Sequence, residues 1–167
     1  DGWDWNLYGP IVRFALTQPY PLLAANLDTA EIHTFYRNPP VLKGERSNAA
    51  SVKSTLLEQI SDSHCGLLPE SQMPAMLAVQ QQRDRRMAER LLAAPTPSLL
   101  LAGAWHARKD VGVPVHVLDL GAPEAPTVLM LAEQGSEVTA ARADYVWFTP
   151  VTPKQDYCEQ MRKQFGK

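Results

Sequence analysis

The chain of 167 residues lacks any apolar run that approaches the length of a membrane span. Cysteine is scarce. Cys65 and Cys158 are the only two, and their separation fits no zinc-ligand or redox spacing. They either close one disulfide in an oxidising compartment or stay as buried thiols. Sequence alone does not bring them within bridging distance, so free thiols are expected. Neither sign of charge is in excess: 16 Lys and Arg stand against 18 Asp and Glu, a net charge of −2. Nucleic acid or an anionic membrane therefore has no support as the main partner. The sequence has no glycine-rich phosphate loop, no nucleophile elbow and no paired-cysteine motif. It has no internal repeat or low-complexity tract, and no initiator Met, signal peptide or lipobox. A chain that starts at Asp1 could have lost an initiator Met or a leader to processing. What is present is the composition of one ordinary globular domain, long enough to bury a core.

The organising stretch runs from Ser98 to Leu120. Leu99 to Ala102 is too short an apolar run for a helix and reads as a strand buried on both faces. Gly103 follows, with His106 three residues on. Gly112 and Pro114 then turn the chain into a second apolar run, Val115 to Leu120, also read as a strand. In an open α/β sheet, ligands bind beyond the carboxyl ends of strands, where His106 falls. Gly103 would let backbone approach a bound group.

From the beginning of the chain, the apolar spacing predicts a helix over Asp4 to Thr17, with Pro10 in its first turn or at a kink. Leu22 to Leu27 reads as a short strand. Asp28 and Glu31 match a capping box, so a helix is expected from Thr29 to about Arg37. Val41 to Ser51 reads as a mobile loop, Ser51 to Ile60 as a short helix, and Ser61 to Glu70 as another loop. Pro74 opens a long helix to about Ala94. Strands are expected at Thr127 to Leu131 and Ala143 to Thr149, and a terminal helix at Lys154 to Phe165. These elements predict an α/β fold with a mixed, mainly parallel sheet flanked by helices and antiparallel strands at an edge.

His106 is the leading candidate for a ligand or hydrogen-bonding group; the plainer reading is a loop histidine capping local backbone. Arg108 and Lys109 suit an acidic ligand such as a propionate, or are solvated charges, the better reading for Lys109. Gln80 and Asp84 interrupt the apolar stripe of the long helix, i and i+4 apart. They either orient His106 or a bound group, or bond to strand ends. Tyr8 shares a helix face with Trp5 and Val12; a tyrosinate can bind ferric iron, while a core residue with a surface hydroxyl is the simpler physical reading. Arg83, Arg85 and Arg86 read as a solvated face. His64 and Cys65 make a poor metal pair, because neighbours in an extended chain point apart. His33 and His116 read as structural, although His116 is near enough in sequence to His106 to stay in reserve as a site residue.

Three segments carry a resemblance. Residues Gly103 to Val117 resemble the Gly-x-x-His segment of the ChaN-like haem-binding proteins, a family within a broader superfamily with the Tiki and erythromycin-esterase-like proteins. Trp5, Tyr8, Pro10 and Ile11, followed by Pro21 to Leu27, look like that family's Trp-x-x-Tyr-x-Pro-Ile helix and the strand after it. Ser63 to Leu91 looks like its long helix with a Gln-x-x-x-Asp core. The matches keep the family's order and run from Asp1 to about His116. One departure matters: the family's opening strand with a Gly-Glu-x-His motif, and the His and Glu after it, are absent.

The resemblance implies a haem-binding protein of the bacterial cell envelope, a periplasmic or anchored lipoprotein. Its work would be haem or iron uptake, as a homodimer with haem between subunits. It implies a tyrosine axial ligand, for which Tyr8 is the match, a histidine contributed across the dimer, and Trp5, Gln80, Asp84, His106 and Arg108 around the cofactor. It also implies that residues 1–167 form the C-terminal part of a single domain, with the first strands of the sheet supplied by a further N-terminal segment. The alternative is a metal-dependent hydrolase of the broader superfamily, using His106 with Glu and His residues from that segment.

Overall fold

A computed structural model describes residues 4–153 and 156–165. Its elements are α1 (Trp5–Leu16), α2 (Thr29–Arg37), α3 (Ala50–Ser63), α4 (Met73–Ala93), α5 (Ala104–Ala107), α6 (Val113–Asp119), β1 (Leu129–Glu133), β2 (Tyr145–Thr149) and α7 (Tyr157–Phe165), with a 3-10 turn at Glu70–Gln72. The expected start of the last helix at Lys154 lies outside the described residues.

The fold is built on α4. Pro74 stands in its first turn, where a missing N–H costs nothing. Val79, Asp84, Met87 and Ala88 turn inward at helical spacing, joined by Gln81. Met87 and Ala88 pack against Val113 and Val117 of α6, and Ala25, Leu100 and Ala102 close over this cluster. On another side, Val52 and Leu56 of α3 pack with Val111 and Leu77. The α2 helix begins at the predicted capping box: Asp28 accepts from the Glu31 N–H and Glu31 accepts from the Asp28 N–H. Arg86 of α4 pairs with Glu31 and so joins the two helices.

Several expectations are corrected. Val115 to Leu120 is not a strand but the greater part of α6. Pro114 sets its first turn, and Val113, Val115, His116 and Val117 are all buried. Burial on every side erases the periodicity that separates a short helix from a strand. Leu22 to Ala25 and Leu99 to Ala102 are extended, but no backbone hydrogen bond pairs either with another segment among the described residues. They are also not buried on both faces: Leu100 and Ala102 face the core, while Leu99 is 84% exposed. The described sheet is β1 and β2 alone. They run parallel, with Leu129 opposite Tyr145 and Leu131 opposite Trp147, although only residues 134–144 join them. No antiparallel edge is present among the described residues.

The loop after α2, expected to be mobile, is pinned. Asp119, the last residue of α6, accepts hydrogen bonds from the N–H groups of Arg46 and Ser47 and from the Ser47 hydroxyl. These hydrogen bonds hold its carboxyl below the usual range, outweighing the partial burial that pushes it up. Gly44, at φ 136°, lies so close to Asp119 that any side chain there would collide with the carboxylate. The cysteines are not free: Cys65 and Cys158 form a disulfide, their Cα atoms 5.5 Å apart. The cross-link fastens α7 to the turn after α3.

Candidate functional site

Three elements meet at His106. On α4, Gln80, Arg83 and Asp84 are spaced i, i+3 and i+4 and share one face. The single turn of α5 starts at Gly103, whose carbonyl accepts from the Ala107 N–H. His106 therefore stands on a helical turn rather than an open loop. The end of α3 brings Gln59, Ser63 and His64 alongside. Together they border a cleft of about 400 Å³, further lined by Met76 and Trp105.

Asp84 lies fully buried behind the imidazole. His106 Nδ1 is 2.5 Å from Asp84 Oδ1, and the Gln80 amide nitrogen is 3.1 Å from the same ring nitrogen and 3.4 Å from Asp84 Oδ2. Burial pushes the Asp84 carboxyl above its ordinary range, against the opposing pull of His106, Arg83 and Gln80. With Asp84 ionised the carboxylate only accepts, so the shared proton then lies on Nδ1 and the Nε2 lone pair of His106 is left as an acceptor or ligand. A carboxylate behind a histidine fixes its ring and raises the donor strength of the distal nitrogen. Of the two readings open for Gln80 and Asp84, the structure adopts the one in which they orient His106.

Gly103 lines the cleft, and the glycine packed tightly against the backbone of the turn that carries His106 is Gly112. A Cβ on Gly112 would stand 2.2 Å from the His106 carbonyl oxygen, while one on Gly103 would make only ordinary contact with the His106 ring. The cations that follow His106 are also placed differently. Arg108 is buried, donates two hydrogen bonds to Asp110 at 2.8 and 2.5 Å, and stacks over Trp105 with 4.2 Å to the ring centroid. Lys109 is paired with Asp144, which also accepts from the Val128 N–H. Neither cation lines the cleft. Trp5 and Tyr8 lie on α1, largely exposed and outside the cleft lining. The structure thus brings together Gln80, Asp84 and His106 and keeps Trp5, Tyr8 and Arg108 apart from the cleft.

His64 and Arg83 line the same cleft and escape the sequence reading. Arg83 had a signal, the i+3 spacing from Gln80, which grouping it with Arg85 and Arg86 as a solvated face passes over. Those two are themselves only partly exposed, paired with Glu89 and Glu31. His64 had none beyond its place next to Cys65, which reads as a poor metal pair and does not connect it to His106. Its Nδ1 lies 2.8 Å from the Ile60 carbonyl. A carbonyl only accepts, so that nitrogen carries the proton and Nε2 is again an acceptor. Among the described residues, no group of three or more His, Cys, Asp and Glu is placed to hold a metal ion.

The family described as "Haem-binding uptake, Tiki superfamily, ChaN" matches residues 1–117, which include Tyr8 and all the residues of the cleft. Among solved structures, the chain is similar to one described as cofacial heme binding to ChaN of Campylobacter jejuni. The two share 34% identity and a TM-score of 0.79, over 87% of this chain and 58% of that one. The chain thus spans little more than half the length of that relative. The comparison with curated proteins gives no match.

Proposed function

Because the chain belongs to the haem-binding ChaN family of the Tiki superfamily, we propose that it binds haem for haem or iron uptake at the bacterial cell envelope, as a homodimer with the cofactor between subunits. The observation that carries this reading is the Gln80–Asp84–His106 unit on the cleft wall, within the residues the family covers. Its free Nε2 is the kind of nitrogen that ligates iron or bonds to an iron ligand. A cleft of about 400 Å³ takes one edge of a tetrapyrrole, not the whole ring. The macrocycle's faces must then rest on exposed surface, and α1 offers Trp5, Tyr8 and Ile11. In this reading Tyr8 would hold ferric iron through its phenolate oxygen.

The disulfide supports an oxidising compartment such as the periplasm. The apolar outer face of β1 and β2, with Leu129, Leu131, Tyr145 and Trp147 all more than half exposed, supports a further segment of the same domain that covers it. The backbones of Leu22 to Ala25 and Leu99 to Ala102, unpaired among the described residues, are where strands of that segment would add. The longer chain of the relative is consistent with this.

Haemin titration of the full-length protein should give saturable binding and the spectrum of oxygen-ligated ferric haem. Tyr8→Phe removes one oxygen and should change that spectrum while leaving the circular dichroism as it was. An unchanged spectrum moves the ligand to another tyrosine. A protein that stays colourless with excess haemin rules the haem reading out and favours the hydrolase.

A further inference from the structure

Most cations around α4 and α5 are already matched with carboxylates. Arg85 pairs with Glu89, Arg86 with Glu31, Arg108 with Asp110 and Lys109 with Asp144. Arg83 is different. It lines the cleft, is only partly exposed, and its Nε donates at 3.2 Å to the side-chain oxygen of Asn26, a neutral acceptor. Among the described residues, no carboxylate lies within ion-pair distance of it. The neighbouring Asp84 is turned to His106, so its charge reaches Arg83 only through space.

The rest of the lining has the same bias. It holds His64, His106, the amides of Gln59 and Gln80 and the hydroxyl of Ser63, and it contains neither Asp nor Glu. Gln59 keeps a buried amide oxygen with no donor. Oxygen and nitrogen of an amide exchange places by a half turn, which would present an NH₂ group there instead. A permanent cation beside neutral donors, in a partly dried cleft, is unfinished without an anion. The guanidinium has free N–H groups in the flat fork that matches a carboxylate.

We propose that Arg83 anchors a carboxylate of the bound ligand in this cleft; on the haem reading above, on which this rests, that group is one propionate. The propionate anchor is then a helix residue beside Gln80, and the cations at Arg108 and Lys109 serve to hold α5 and the chain before β2 in place. The size of the cleft agrees, since it admits a side group and one edge of a flat ligand.

The test compares haemin with haemin dimethyl ester, whose carboxylates are masked, on the full-length protein. Wild type should bind haemin at least tenfold tighter than the ester, the size of one charge-assisted hydrogen-bonded pair, roughly 1.5–3 kcal/mol. Arg83→Gln should remove most of that preference by weakening haemin alone. Arg83→Lys keeps a point charge without the fork, so it should retain part of the preference. It also reads the same ratio should the glutamine variant not fold. If Arg83→Gln, or Arg83→Lys in its place, keeps the whole wild-type preference, the assignment is overturned while the haem reading stands. Equal binding of both porphyrins by wild type has the same meaning. If wild type binds neither porphyrin, both the haem reading and the anchor fall together.

Discussion

His106 and His116 stand ten residues apart in opposite situations. His106 has a carboxylate behind it and a cleft in front. His116 is completely buried in α6, and neither ring nitrogen has a hydrogen-bond partner. Burial lowers its pKa to about 4; the charge of Asp119 opposes the shift, and that of Arg85 adds to it. The unfolded chain therefore takes up a proton near pH 6.5 that the folded chain refuses until about pH 4. Stability from this residue is complete above pH 6.5 and is lost as the pH falls towards 4, by about 3 kcal/mol in all. Denaturant unfolding of wild type and His116→Leu across that range should show the slope in wild type and its loss in the variant. Parallel curves would mean that the ring finds a partner. The sequence marks His106, Gln80 and Asp84 well, because a glycine spacing and polar residues on an apolar stripe are local signals. Arg83 was read too simply, because what distinguishes it is the lack of a carboxylate partner among the described residues, which only the folded surroundings reveal. His116 is buried, in keeping with its structural reading.

At the scale of elements, the legible parts are those with end signals. The capping box at Asp28 and Pro74 in the first turn of α4 place two helices within a residue or so of their observed starts. α1 and α3 follow from spacing alone. The failure at α6 comes from a run of valines that favours a strand by local preference but is enclosed on all sides as a helix. The turn before it matters for the site. At Gly112 an added methyl would meet the carbonyls of His106 and Trp105, which are backbone and cannot swing away. Gly112→Ala should cost about 1–3 kcal/mol, as overpacking commonly does. It should also weaken haemin binding, because the strain falls on the turn that carries His106. Gly103→Ala, with no close contact and a φ of −61°, should leave both melting temperature and affinity near wild type. The reverse ranking in thermal melts would show that the turn is held some other way.

On the scale of the whole molecule, the α/β class is what the pattern predicts, but the organising element is α4 rather than the stretch from Ser98 to Leu120. The sheet is where the reading falls short. The apolar run from Leu99 to Ala102 signals an extended segment but not that only one of its faces is covered, and no pattern within a segment specifies which strand lies beside it. The exposed outer faces of Leu99, Leu101, Leu131 and Trp147 record that same missing information as bare surface. The disulfide was missed for a related reason: 93 residues separate its ends, and only the fold brings them together. That bond has a consequence of a different kind. It closes residues 65–158 into a covalent ring, and α4, His106, β1 and β2 all belong to the ring. One protease cut anywhere within it opens the ring but releases nothing. Limited digestion should therefore leave a single nicked species on a non-reducing gel and two fragments after thiol reduction. If separate fragments appear without reductant, the ring was never closed.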